Sequence, residues 1–451
     1  MSGIFKAYDV RGIYPTELDE TTARKIGLAV RHVLAGDDLA QSNTVVVSRD
    51  MRSHSGPLSE ALIEGLRAGG LDVLDVGLAT TPMSYFAVGH TGAAGGVQVT
   101  ASHNPAPYNG FKLSRREARP ASGDHGIPLL EEKVRSGELE PAAEPGGLEH
   151  AEIFEAYGER LLGFLRRPEE GRRLKVVVDA GNGMGSIYRP LLERAGIELL
   201  PLYFELDGTF PNHEANPLKY SNLRDLCAEV RRHGADLGVA FDGDADRAAF
   251  VDEHGEPIGN DLSTALIAAE LLDRDPGKAV VYDLRSSRAV AEYIREHGGK
   301  PIRDRVGHSF MKATLRKEKG IFGGELAGHY YFRDTYYADN ALLAVFEVLN
   351  LLRETGKTMS ELIAPLQRYA KSEEINFEVE DKAGKIAELG KRYADGEIDH
   401  LDGITVQYPD WWFNVRPSNT EPYLRLVAEA STPEQLTAKL DELMKLLGEP
   451  V

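Results

Sequence analysis

A short apolar strand that ends in a polar, turn-forming loop occurs three times in this chain, and that recurrence restricts the fold more than any other feature. Thr44-Val45-Val46-Val47 runs into Ser48-Arg49-Asp50, Lys175-Val176-Val177-Val178 into Asp179-Ala180-Gly181-Asn182-Gly183, and Lys278-Ala279-Val280-Val281 into Tyr282-Asp283-Leu284-Arg285-Ser286-Ser287. Short Val- and Ile-rich runs separated by longer amphipathic stretches are the pattern of parallel strands joined by crossover helices. The copies begin a little over a hundred residues apart, which is the size of a domain and far beyond the period of a short-repeat solenoid. Three similar α/β domains are expected.

The chain of 451 residues has room for a fourth. Its last ~80 residues change character. Ile404 to Tyr408, Trp411 to Val415 and Tyr423 to Glu429 read as strands, and Thr432-Pro433-Glu434-Gln435 reads as a helix start with cap, first-turn proline and capping-box glutamine. This part is expected to be α+β. The stretch Glu138 to Gly147, rich in Glu, Pro, Ala and Gly, lacks apolar periodicity and reads as a linker. With softer boundaries at Val251 to Pro257 and Tyr369 to Glu374, the expected domains are 1–150, 151–252, 253–370 and 371–451.

Composition narrows the function. The lone cysteine, Cys227, cannot form an internal disulfide, no apolar run approaches the ~18 residues that span a bilayer, and Met1 to Arg11 shows no secretory pattern. A cytoplasmic protein is expected. Net charge is −19, from 52 basic and 71 acidic residues, which opposes sequence-independent binding to nucleic acid or anionic lipid. An anionic small substrate remains compatible with this charge if a local basic pocket holds it. The oligomeric state stays open.

The sharpest chemical feature is Asp242-Gly243-Asp244-Ala245-Asp246-Arg247, set between the apolar runs Leu237 to Phe241 and Ala248 to Val251. Spacing of two lets three carboxylates converge on one side, which supplies hard oxygen ligands for Mg²⁺. As a bare solvated turn the loop would crowd three like charges without compensation. An EF-hand reading fails because Arg247 occupies the sixth position, where that loop needs Gly, and the flanks read as strands.

Three further constellations follow. In Thr100-Ala101-Ser102-His103-Asn104-Pro105 a turn serine could carry a phosphoryl group, with His103 and Lys112 near in sequence; a plain hydrogen-bonding turn is the alternative. Arg416-Pro417-Ser418-Asn419-Thr420-Glu421-Pro422 combines an Arg fork with hydroxyl and amide donors, a mixture suited to a phosphate dianion. Gly323-Gly324-Glu325-Leu326-Ala327-Gly328-His329, with Gly307-His308-Ser309 upstream, offers Glu325 to sugar hydroxyls and His308 and His329 for proton transfer or substrate binding. Asp9-Val10-Arg11-Gly12 could add a cation. The loop Asp179 to Gly185 lacks P-loop and dinucleotide spacing and reads as a structural strand-to-helix turn.

Taken in order along the chain, these motifs resemble the α-D-phosphohexomutases, in particular the phosphomannomutase/phosphoglucomutase branch, with one motif in each expected domain. Pro211-Asn212-His213-Glu214 and Tyr330 to Asp334 look more like phosphomannomutases than phosphoglucosamine mutases. The resemblance implies a heart-shaped, four-domain protein with three similar α/β domains of mixed sheets and an α+β C-terminal domain. It implies that Ser102 is phosphorylated, that Asp242, Asp244, Asp246 and Ser102 hold Mg²⁺, and that Arg11, Lys112, Arg247, His308 and His329 assist transfer. His103, Arg285, Glu325, Arg416, Ser418, Asn419 and Thr420 would bind a hexose phosphate, and hexose 1,6-bisphosphate would be intermediate and activator. Closure around that intermediate is expected, since it must turn over without escaping to water. Many relatives have Ser where this chain has Ala327, which leaves the preference between mannose and glucose open. The competing readings are a phosphoglucosamine mutase, a non-catalytic sugar-phosphate sensor and a phosphomonoesterase.

Overall fold

A computed structural model describes residues 3–34, 37–122, 126–166, 173–418 and 423–451. The valines of the first recurrence lie in the strand Thr44–Arg49, which is flanked on both sides by parallel neighbours, Asp72–Leu78 and Gly95–Val99. Val45, Val46 and Val47 are fully buried, because helices cover both faces of such a sheet and no side of the strand can be polar. Tyr108–Arg115 returns antiparallel to Gly95–Val99, and Val10–Ile13 adds an antiparallel edge. The second recurrence repeats the plan: Lys175–Asp179 lies parallel to Glu198–Leu202 and Leu237–Phe241, and Ala248–Val251 returns antiparallel. In the third, Ala279–Asp283 is parallel to Lys300–Asp304 and Phe322–Gly324. The C-terminal sheet is antiparallel, built on Trp411–Pro417 and Tyr423–Ala430, with the helix Lys382–Arg392 after the short strand Ile375–Glu378 and the helix Pro433–Leu447 after Tyr423–Ala430. Mixed sheets and a sheet-rich final domain thus match the expected fold class.

Two compact units emerge, Met1–Gly259 with Ala327–Ser360 and Asn260–Leu326 with Glu361–Val451. The first unit takes back a later segment: the strand pair Tyr330–Phe332 and Ala338–Asp339, followed by the helix Ala341–Thr355, whose residues 341–352 are all buried. Apolar packing drives this return, with Tyr330 against Phe250. A bridge between Arg247 and His329, and a hydrogen bond from Ala248 N to Gly328 O (3.1 Å), fix its start beside the carboxylate loop.

Two local expectations are corrected. The stretch Glu138 to Gly147 is not a free linker: Ala142 N and Gly146 N donate to Ala68 O and Arg67 O (both 2.8 Å), and Leu148–His150 extends the first sheet beside Asp72–Leu78. Backbone pairing needs no apolar periodicity, so the sequence pattern missed it. At the last helix Thr432 Oγ1 accepts from Gln435 N (3.2 Å) as a cap should, but the Gln435 amide reaches Asp410 instead of closing a capping box.

Candidate active site

The aspartates of the loop 242–247 are all buried. Asp242 ties the loop to itself, its Oδ1 accepting from Asp246 N (3.1 Å) and Arg247 N (3.2 Å) while Ala245 takes a left-handed conformation, φ 58°. One oxygen from each aspartate lies within 4.8 Å of the others. Asp244 Oδ1 and Asp246 Oδ1 are buried and have no hydrogen-bond partner among the described residues. Burial, Asp244 and Asp246 together push the Asp242 carboxyl well up. Burial would raise Asp244 too, but Lys112 and Thr81 hold it below the usual range. Hard oxygen donors, spare lone pairs and three carboxylates crowded into a buried loop fit a bound divalent cation.

Ser102 stands directly against this loop. Its Oγ donates to Asp242 Oδ2 at 2.7 Å, and its backbone is left-handed, φ 50°. The two loops touch through Gly243: a Cβ there would lie 2.2 Å from Ser102 O, so only glycine permits the approach. Behind Gly243 the loop Asp179 to Gly185 acts as a support, with Met184 N donating to Gly243 O (2.9 Å).

Cations surround the pair. Lys112 Nζ donates to Asp244 Oδ2 (2.6 Å) and Asp246 Oδ2 (2.5 Å); burial alone would lower its pKa, but these carboxylates raise it and keep it charged. Arg11, on the edge strand, reaches Asn104 Oδ1 at 2.6 Å and pairs with Asp9. Arg247 Nε donates to His329 Nε2 (3.0 Å), which leaves the other ring nitrogen of His329 3.4 Å from Asp339 and 3.7 Å from Asp246. His103 Nδ1 is 3.2 Å from Ser102 Oγ, and burial with Arg247 and Arg11 pushes its pKa well down, so the ring is neutral. The first unit therefore gathers Ser102, His103, Arg11, Lys112, the three aspartates, Arg247 and His329.

Sequence reasoning missed the group that shapes the serine loop. Arg52, 2% exposed, donates to five carbonyls: Ser102 O (2.9 Å), Asn104 O (2.6 Å), Pro105 O (2.9 Å), Tyr108 O (3.0 Å) and, at 3.5 Å, Ala106 O. Its Nε faces Asp50 at 3.3 Å, and its guanidinium lies over the Phe210 ring. Asp50 also accepts from Thr100 Oγ1 (2.7 Å), and Thr81 donates to Asp244 Oδ2 (2.5 Å). A charged residue just past the C-terminal end of a buried parallel strand was the available signal for Asp50 and Arg52.

A second cluster lies in the other unit. Arg285 forks onto Asp283 (3.1 and 2.8 Å), stands 3.9 Å from the buried Glu325 and 3.5 Å from Glu374. Glu374 also accepts from Arg416 Nη2 (2.9 Å) and Arg425 Nη1 (3.0 Å). Ser418 N donates to Tyr423 O (2.9 Å) at the base of the Arg416 loop; Asn419 and Thr420 lie outside the described residues. His308, half-buried, opens the helix His308–Lys317.

A positively framed serine beside a carboxylate loop that could hold a metal ion, carried by mixed α/β sheets, is a geometry suited to metal-assisted phosphoryl transfer. Profiles described as phosphoglucomutase/phosphomannomutase alpha/beta/alpha domains I, II and III match residues 2–140, 155–255 and 260–369, and that of the C-terminal domain matches 374–446. A phosphohexose mutase of Xanthomonas campestris pv. campestris is 40% identical over 450 residues, covering 98% of this chain and 99% of that protein. A phosphomannomutase of Escherichia coli is 37% identical, covering 98% of each. The crystal structure of a phosphoglucomutase/phosphomannomutase family protein from Burkholderia thailandensis superposes with a TM-score of 0.89 at 36% identity, covering 98% of this chain and 96% of that one. The chain belongs to the phosphoglucomutase/phosphomannomutase family and is a phosphohexomutase.

Proposed function

We propose that this enzyme interconverts the 1-phosphate and 6-phosphate of a hexose, mannose, glucose or both, through phosphoserine at Ser102 and a hexose 1,6-bisphosphate intermediate and activator. The observation that carries the reading is Ser102 Oγ at 2.7 Å from Asp242, with Lys112, Arg11 and Arg247 around the two loops. Phosphoserine gives its phosphoryl group to a free hydroxyl of the bound hexose phosphate: the P–Oγ bond breaks, a P–O bond to the sugar forms, and the hydroxyl proton leaves through a base. The serine oxygen recovers a proton, and the opposite transfer from the other end of the bisphosphate restores phosphoserine. Mg²⁺ held by Asp242, Asp244, Asp246 and the Ser102 oxygen would neutralise charge on the transferring group.

Lys112, Arg247 and Arg11 stabilise the same charge. His329, oriented by its Nε2 contact with Arg247, and His308 are the acid/base or sugar-orienting groups, and His103 contacts substrate beside Ser102. Glu325 reads sugar hydroxyls. Arg416, Ser418, Asn419 and Thr420, with Arg285, hold the phosphate that is not reacting, so one clamp serves both orientations. On this reading 1–150 carries the phosphoserine, 151–252 the metal loop, 253–370 sugar recognition and 371–451 the phosphate clamp. The partners are small hexose phosphates in the cytoplasm, with neither nucleic acid nor membrane involved; no helix of the described residues is long and apolar enough to cross a membrane. Ser102→Ala should lower turnover by roughly 10⁴-fold or more while sparing substrate binding. Undiminished turnover would remove Ser102 from the mechanism.

A further inference from the structure

Arg416 and Arg425 are directly opposite each other in the antiparallel pair Trp411–Pro417 and Tyr423–Ala430. Like charges in that position repel, and Arg416 is additionally buried, 2% exposed. Burial and the nearby Arg285 charge depress its pKa, so the fold works against this cation. What reconciles the pair is Glu374, immediately before the neighbouring strand Ile375–Glu378. Its Oε1 accepts from Arg425 Nη1 (3.0 Å), its Oε2 from Arg416 Nη2 (2.9 Å), and Arg285 Nη1 lies 3.5 Å from the same Oε2. One carboxylate thus sits at the hub of three guanidinium groups drawn from three separate stretches of chain. Burial would raise its pKa, but Arg285, Arg416 and Arg425 carry it below the ordinary carboxylate range.

The contact is one-sided in an informative way. Glu374 engages a single terminal nitrogen of Arg416, and Arg416 Nε, buried, has no hydrogen-bond partner among the described residues. A buried guanidinium donor without an acceptor is costly. Holding the far end of the fork while leaving a buried donor unused is a geometry suited to an incoming oxyanion.

We propose that Glu374 is the positioning residue of the phosphate clamp: an internal carboxylate that fixes the forks of Arg416, Arg425 and Arg285 so that they meet the dianion of the non-reacting phosphate without reorganising. Arg425 joins the clamp as its third arginine. The inference rests on the reading of the Arg416 loop as that clamp. Glu374 touches neither substrate nor reacting atoms; it acts through the arginines, and its loss lets them repel one another and swing away.

The test is steady-state kinetics on the full chain with glucose 1-phosphate and mannose 1-phosphate, together with inhibition by inorganic phosphate, for Glu374→Gln, Glu374→Asp and Arg416→Gln. The expected result for Glu374→Gln is a KM raised about tenfold or more, a weaker inhibition by phosphate, and a much smaller change in kcat. Glu374→Asp, which keeps the charge on a shorter arm, should recover part of the loss, and it carries the test if Glu374→Gln does not fold. An unchanged or lowered KM in folded Glu374 variants, or a loss confined to kcat, overturns the proposal. If Arg416→Gln also leaves KM unchanged, the clamp itself is wrong; if Arg416→Gln raises KM and the Glu374 variants do not, only the role of Glu374 fails.

Discussion

Gly243 and Arg52 carry the geometry of Ser102 without taking part in its chemistry. Gly243→Ala places a Cβ 2.2 Å from Ser102 O. Neither loop can yield cheaply, because the serine side is pinned by Arg52 and the other side by the Asp242 contacts. The variant should lose about 1–3 kcal/mol in urea unfolding and roughly 10²-fold in turnover. Wild-type values for both would show that the loops part without consequence. Arg52→Met removes the donor from five carbonyls; a buried acceptor left unpaired costs about 1–3 kcal/mol, and water will reach some of the five. A total loss above ~3 kcal/mol is expected, and a loss below 1 kcal/mol would contradict the pinning role. Asp242, Asp244 and Asp246 were legible in the sequence because their chemistry follows from type and spacing. Arg52 was marked only by its place just past a buried strand, and Glu374 not at all, because a lone charge acquires its particular role only from partners that tertiary folding brings to it.

At the scale of elements, strands and their polar ends were readable wherever burial on both faces forces a continuous apolar run, as at Thr44 to Val47. The segment 138–150 was not, since it is held by backbone hydrogen bonds that leave no side-chain pattern. The loop Asp179 to Gly185, read from its spacing as structural, props Gly243 and is itself anchored by His213, whose Nε2 lies 3.0 Å from Asp179 Oδ2. Burial lowers the His213 pKa, but the hydrogen bond and charge of Asp179 outweigh it and the net shift is upward. Stability from a raised histidine is fully present below its unfolded value of about 6.5 and is lost as pH rises through the folded value. Thermal unfolding near pH 6 and near pH 8.5 should show a larger loss at high pH in the wild type than in His213→Gln. Equal losses in both proteins would mean that the Asp179 pair adds nothing.

Over the whole molecule, a chain of net charge −19 gathers two buried clusters of cations that could meet a dianionic substrate. One surrounds Ser102 and the carboxylate loop in the unit Met1–Gly259 with Ala327–Ser360, and the other centres on Glu374 in the unit Asn260–Leu326 with Glu361–Val451. The fold class, mixed α/β sheets followed by a sheet-rich C-terminal domain, was visible in the sequence because apolar strands end in polar motif-bearing loops. That His329 belongs with Asp246 and Arg247 was not visible, since only the return of residues 327–360 to the first unit brings it there. Dividing the cations this way predicts divided kinetics: changes at the aspartates should act on kcat, changes at the arginines of the second unit on KM. Chelation with EDTA should stop turnover, added Mg²⁺ should restore it, and Asp244→Asn should demand more Mg²⁺ for the same rate. Full activity after exhaustive chelation would exclude a required metal.

The most direct test is phosphorus NMR of the enzyme with Mg²⁺, a trace of glucose 1,6-bisphosphate, and mannose 1-phosphate or glucose 1-phosphate in separate tubes, with Ser102→Ala alongside. A 6-phosphate signal should grow at the expense of the 1-phosphate in the wild type, and none should appear in Ser102→Ala. Release of inorganic phosphate in place of the 6-phosphate, or conversion that persists in Ser102→Ala, would contradict the phosphoserine mechanism.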